Sequence, residues 1–148
     1  FVSPDLTTFT RLDELGLEVV GQFLEPARAV LACRVVDDDR WCRRCGGEGT
    51  PRGTVVRRLA HEPFGWRPTL LLITVRRYRC AECGHVWRQD TSKAAEPRAK
   101  LSRRALRWAL EGLVVAHLDR RPDRRGPRGV VEHRQRRRPR QGPTRSDR

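Results

Sequence analysis

The sequence predicts a small α+β fold, and three observations carry that expectation. Two Cys-x-x-Cys pairs, Cys42 with Cys45 and Cys80 with Cys83, each run directly into a glycine, Gly46 and Gly84. The 34 residues between the pairs hold two strand-like runs around a break rich in proline and glycine. Beyond the second pair, Leu106, Leu110, Leu113 and Ala116 recur at intervals of three or four, the spacing of a helix face. Together these describe a zinc ribbon, an antiparallel β-hairpin with a four-cysteine zinc site at its base, followed by one helix and a disordered basic C-terminal tail.

Residues 1–40 read as an N-terminal lead-in with one or two strands. Leu15, Leu17, Val19 and Val20 begin a mixed apolar segment, and residues 29–36 alternate with the period of two that marks a strand. Asp37, Asp38 and Asp39 end it, because consecutive carboxylates disfavour a ladder and suit a turn. Residues 41–92 are the expected ribbon domain. Its first strand spans Thr54 to Leu59, and its second spans Thr69 to Arg79 and delivers the chain to Cys80. Between them Pro63, Gly65 and Pro68 interrupt pairing and predict a turn. A short strand through Val86 and Trp87 follows the second pair. Residues 93–118 are a linker around Pro97 and a helix of about sixteen residues, capped by Ser102 and ending near Leu118, the start of a helix-turn-helix region.

Residues 119–148 change character abruptly. Twelve arginines against four acidic groups give this tail eight of the chain's fourteen net positive charges, and Val130 and Val131 are its only strongly apolar residues. So little apolar surface cannot offset the entropy of ordering thirty residues, which predicts disorder.

The chemistry lies in the cysteines. A Cys-x-x-Cys spacing lets two thiolates approach one ion at about 2.3 Å from each sulfur, and the following glycine lets the backbone turn its amides toward them. Two such knuckles supply the four ligands Cys42, Cys45, Cys80 and Cys83 of a closed structural zinc site, with no open position for a catalytic water. The interval between them is longer than the usual fifteen to twenty residues, and a hairpin fills it. A redox or disulfide role would need a strand leading into a helix after one pair, or an oxidising compartment, whereas the opening stretch lacks the charged start and apolar core of a secretory signal and a reducing compartment is expected. Cys33 stands alone in a strand and reads as a small buried hydrophobe, and His61 and His85 are not needed as ligands.

A net charge of +14 and a pI near 11.3 point to a polyanionic partner, foremost nucleic acid. No run of about eighteen apolar residues suggests a membrane span. Arg43, Arg44, Arg57, Arg58, Arg67, Arg76, Arg77, Arg79 and Arg88 decorate the ribbon. All but Arg67 are the candidate DNA-contacting residues, since guanidinium groups neutralise phosphates. Trp41, Trp66, Tyr78 and Trp87 are assigned to packing in the ribbon's small core.

From Trp41 through Leu118 the chain resembles the N-terminal region of the ISL-three family of insertion-sequence transposases. The carrying residues are Cys42 to Gly47, Val75 to Cys80, Cys83 to Asp90 and Leu101 to Gly112. The resemblance implies an order of parts: a zinc finger and a helix-turn-helix that engage the terminal inverted repeats of the element in double-stranded DNA, then a metal-dependent catalytic domain. No residue here matches the family's catalytic acids, so the expected role is DNA binding without catalysis, in the bacterial cytoplasm at the nucleoid, with no membrane or small-molecule partner. The departure begins at Asp119. Codons chosen for the tail and reread one base later can spell a helix-turn-helix, so a one-base insertion near Leu118 is the expected origin of the tail, with a selected nucleic-acid-binding arm as its rival. The alternative from another class is a zinc-ribbon module for protein interaction or RNA binding.

Overall fold

The computed structural model describes residues 5–119. The tail expected to be disordered lies outside the described residues from residue 120 onward. The elements in chain order are α1 (Leu6–Phe9), a 3-10 turn (Asp13–Leu15), β1 (Leu17–Leu24), β2 (Ala29–Val35), β3 (Gly49–Phe64), β4 (Arg67–Cys80), β5 (Val86–Arg88) and α2 (Arg103–Asp119).

All five strands form one sheet in the order β1-β2-β4-β3, with β5 added to β4. β4 is its axis. It pairs antiparallel with β3 from Arg67 to Cys80, and its other edge is shared in succession by β2, parallel over residues 69–74, and β5, antiparallel over residues 77–79. The sheet therefore crosses the boundary expected at residue 40, and the lead-in contributes two of its strands.

The long hairpin β3–β4 exceeds its expected length at both ends. The turn consists of Gly65 and Trp66 alone, closed by the pair Phe64 and Arg67. Gly65 has φ +62°, the conformation glycine supplies at the first position of a tight two-residue hairpin turn. Pro63 does not break the strand because the register shifts between His61 and Phe64, and a second shift between Pro51 and Thr54 accommodates Pro51. β3 is an edge strand, where a missing N–H leaves no ladder bond unmade.

Alternation along β4 buries Thr69, Leu71, Ile73 and Val75 on one face and leaves Thr74 and Arg76 exposed on the other. Leu31 and Cys33 of β2 stand beside Leu71 and Ile73, and Leu59 of β3 stands opposite Leu71. Leu12, Leu15 and Leu17 cover this face on one side, and Ala94 and Ala95 close it on the other. The core of eleven buried residues thus draws on the lead-in, the hairpin and the linker together. Each large aliphatic member contributes about 1.5–3 kcal/mol through removal from water.

Ser102 caps α2 as expected: its Oγ accepts from the amide of Ala105 at 3.1 Å. The same Oγ lies 2.8 Å from Nδ1 of buried His61, so a hydrogen bond joins the ring to the cap, and Nε2 has no hydrogen-bond partner among the described residues. Burial holds His61 down to a pKa of about 4, with Arg104 nearby adding to the effect against the pull of Glu62. Arg104 ties the first turn of α2 to Glu62 at 2.6 Å and Glu14 at 2.9 Å. The rest of the helix departs from expectation. Among its residues with described burial only Ala105 is buried, and the stripe Leu106, Leu110 and Leu113 is exposed, because α2 meets β3 through its first turn and runs on past the sheet. No helix among the described residues is long and apolar enough to cross a membrane.

Candidate metal centre

The two cysteine pairs meet at the end of the β3–β4 hairpin opposite its turn. Each pair folds on the same local pattern. The amide of the first cysteine donates to a carbonyl five residues on, Cys42 to Gly47 at 2.9 Å and Cys80 to His85 at 2.8 Å. The amide of the glycine returns to the carbonyl of the first cysteine, Gly46 to Cys42 at 2.8 Å and Gly84 to Cys80 at 3.2 Å. Gly46 at φ +78° and Gly84 at φ +70° occupy the left-handed region, where any side chain is strained.

The four sulfurs lie within 4.8 Å of one another, with Cys45 Sγ 3.3 Å from Cys80 Sγ and Cys42 Sγ 3.7 Å from Cys83 Sγ. A disulfide requires about 2.05 Å, and all four thiols are free. A tetrahedron of sulfurs about 2.3 Å from a central ion has edges of about 3.8 Å, so the cluster has the dimensions of a four-thiolate metal site. The thiols differ in acidity. The amide of Cys83 leads the effects that bring Cys80 down to about 7. Burial raises Cys42, but the amides of Arg44 and Cys45 outweigh it and lower the thiol. The amide of Gly47 lowers Cys45, yet the neighbouring sulfurs of Cys80 and Cys83 push it up to about 12. Four thiolates repel one another at this spacing, and a divalent cation removes that repulsion. The arrangement can bind a metal ion such as zinc.

What fastens this end to the sheet is the run Asp37 to Asp39, which looked like a simple strand terminator. The Asp38 carboxylate accepts from Arg76 and from the Tyr78 hydroxyl at 3.4 Å. The Asp39 carbonyl accepts from Trp87 Nε1 at 2.9 Å, and its carboxylate from the amide of Asp90 at 3.1 Å. The Asp37 carbonyl accepts from Gln89 Nε2 at 2.7 Å, while Gln89 Oε1 takes the amide of Arg76 at 2.8 Å. Gln89 is buried, and its part in this lock had no signal in the sequence because an isolated glutamine carries no pattern. Tyr78 and Trp87 pack as expected, their rings stacked with centroids 5.8 Å apart. Gly49 makes room for them: a Cβ there would stand 2.4 Å from Trp87. Trp41 and Trp66, by contrast, are exposed.

The candidate arginines divide. Arg57 points into the fold, donating to Thr91 Oγ1 at 2.6 Å and to the Glu96 carbonyl, so its guanidinium holds the linker. Arg76 is engaged with Asp38, and Arg43 with Asp39 at 3.3 Å. Arg44, Arg58, Arg77, Arg79 and Arg88 are exposed and make no ion pair among the described residues. Arg77 of β4 and Arg88 of β5 are direct cross-strand partners, and Arg79 stands two residues along. Cys33 lies in the core with its thiol pushed up to about 12 by burial, and neither it nor His61 or His85 belongs to the sulfur cluster. Comparison with protein-family models, with curated proteins and with solved structures finds no match to this chain.

Proposed function

We propose that the chain is a zinc ribbon that binds double-stranded DNA, the N-terminal DNA-binding region of an ISL-three family transposase, acting without the family's catalytic domain. Four sulfur donors with no position left for water favour zinc in a structural role over a catalytic metal. The observation that carries the DNA reading is the register of β4 and β5. Like charges directly opposite each other destabilise a strand pair, yet Arg77 faces Arg88 beside the cysteines, with Arg79 next along the strand. A phosphate backbone laid across that end neutralises all three. The transposase reading rests on the residues quoted above and on the knuckle-hairpin-knuckle-helix order.

Fluorescence anisotropy with a labelled duplex tests it. If Arg44, Arg58, Arg77, Arg79 and Arg88 each neutralise one phosphate, log K should fall against log salt with a slope of about −4.5. Binding that ignores salt, or no binding by zinc-loaded protein, overturns the DNA reading. Preference for an element's inverted repeat over a scrambled duplex tests the transposase reading, and sequencing the gene through codon 118 tests the insertion.

A further inference from the structure

At the hairpin turn, far from the cysteines, lies an apolar groove of about 330 Å³ formed where α1, β1 and the turn converge. Leu31 and Phe64 contribute apolar surface to it, and Phe9, Leu24, Trp66 and Arg67 are among its other lining residues. Phe9 and Trp66 are 81 % and 79 % exposed, an unusual placement for two large apolar rings. The Arg67 guanidinium lies 5.1 Å from the centre of the Trp66 ring. Gln22, whose amide offers both a donor and an acceptor, completes the lining. The turn that presents Trp66 is tight, with Gly65 at φ +62° and the pair Phe64 and Arg67 closing it. Phe64 is backed by His61, ring centroids 5.7 Å apart, and His61 is anchored on Ser102.

We infer that this groove takes one unpaired nucleobase of a DNA strand, a deepening of the DNA reading on which it rests. Exposed aromatic rings accept the π-face of any base, an arginine beside them meets the adjoining phosphate, and a primary amide can bond a base edge. The volume is at the small end of the range for small-molecule pockets, enough for one planar ring system and its sugar. Arg67 puts a cation in the lining, which suits the phosphate beside a base rather than an apolar peptide. β4 links the two ends: from Arg67 in the groove to Cys80 in the metal centre is about 40 Å at a rise of about 3.3 Å per residue. That is close to one turn of duplex, so DNA held at the arginines of the cysteine end can reach the groove with a base displaced or unpaired about one turn away.

The test uses the full zinc-loaded chain and two labelled duplexes, one blunt and one with a single-stranded 3′ extension of thymines, compared by anisotropy at fixed salt. The extended duplex should bind about tenfold more tightly, the gain expected from stacking one base. Trp66→Ala and Phe9→Ala should erase that gain and leave blunt-duplex affinity unchanged, while Trp66→Phe should keep most of it. Equal affinity for the two probes, or equal loss on both in Trp66→Ala, overturns the groove assignment while the salt-dependent binding of blunt duplex still stands. No binding to either probe overturns the assignment together with the DNA reading. Tighter binding of an RNA extension than of the DNA one overturns the choice of DNA as the source of the base.

Discussion

Cys80→Ser should weaken the metal centre and loosen one end of the molecule without unfolding the other. Cys80 ends β4, is buried, and places its sulfur 3.3 Å from that of Cys45. Structural zinc sites bind with about 10–16 kcal/mol, so each of four thiolates carries roughly 3–4 kcal/mol, and serine at one position should weaken binding by about two to three orders of magnitude. A ribbon with little apolar content collapses as a whole when its metal is removed. The core of eleven residues around Leu71 and Ile73 argues otherwise, because it contains none of the four ligands. Zinc affinity by competition with a chelator and amide hydrogen exchange of the variant read both claims. The amides of Cys42, Gly46, Cys80 and Gly84, which close the two knuckles, should exchange freely, while those of residues 69–74 stay protected. Unchanged zinc affinity would refute the four-thiolate site, and uniform loss of protection through β2 and β4 would refute the independence of the core.

Acid should weaken the fold through His61. Its folded pKa of about 4 lies below the value of about 6.5 for an unfolded chain, so the unfolded state binds more protons in between. The stability this group contributes is present above pH 6.5 and falls as the pH is lowered toward 4, by on the order of 2 kcal/mol between pH 6.5 and 5. Urea midpoints of the wild type and His61→Asn at pH 7 and pH 5 should show the smaller acid loss in the variant, and parallel losses would show that His61 does not titrate in this range. Gly49→Ala drives a methyl to 2.4 Å from Trp87 and should cost about 1–3 kcal/mol. Pairing it with Trp87→Leu in a double-mutant cycle should recover part of that loss, and strict additivity would contradict the contact.

The parts readable from the chain were those encoded locally. The glycine-followed cysteine pairs, the alternation of residues 29–36, the strand-forming run from residue 69 to residue 79, and the Ser102 cap each occupy neighbouring positions, and the sulfur cluster follows from them. Pairing between distant segments was not readable. Nothing in residues 29–35 states that their partner is β4 rather than an edge of their own small sheet, so the lead-in looked peripheral when it supplies Leu12, Leu15, Leu17, Leu31 and Cys33 to the core. The stripe on α2 misled for a related reason: period reports that a helix has an apolar face, while what lies beside it is decided by where the first turn is pinned, here by Ser102 and Arg104. Pro63 misled because a proline forbids only a hydrogen-bonded position, and the shift after His61 on an edge strand removes that condition.

The parallel pairing of β2 with β4 sets the order in which the molecule can assemble. The β3–β4 hairpin closes through a two-residue loop and can form early, whereas β2 must wait for a partner whose first paired residue, Thr69, lies forty positions beyond Ala29. Closing so wide a loop is slow, so the rate-limiting step should be the docking of the β1–β2 pair onto a ready-made hairpin. Until it docks, the edge of β4 that carries Leu71 and Ile73 is open to any other strand, and a fragment beginning at residue 41 would keep it open permanently, inviting self-association.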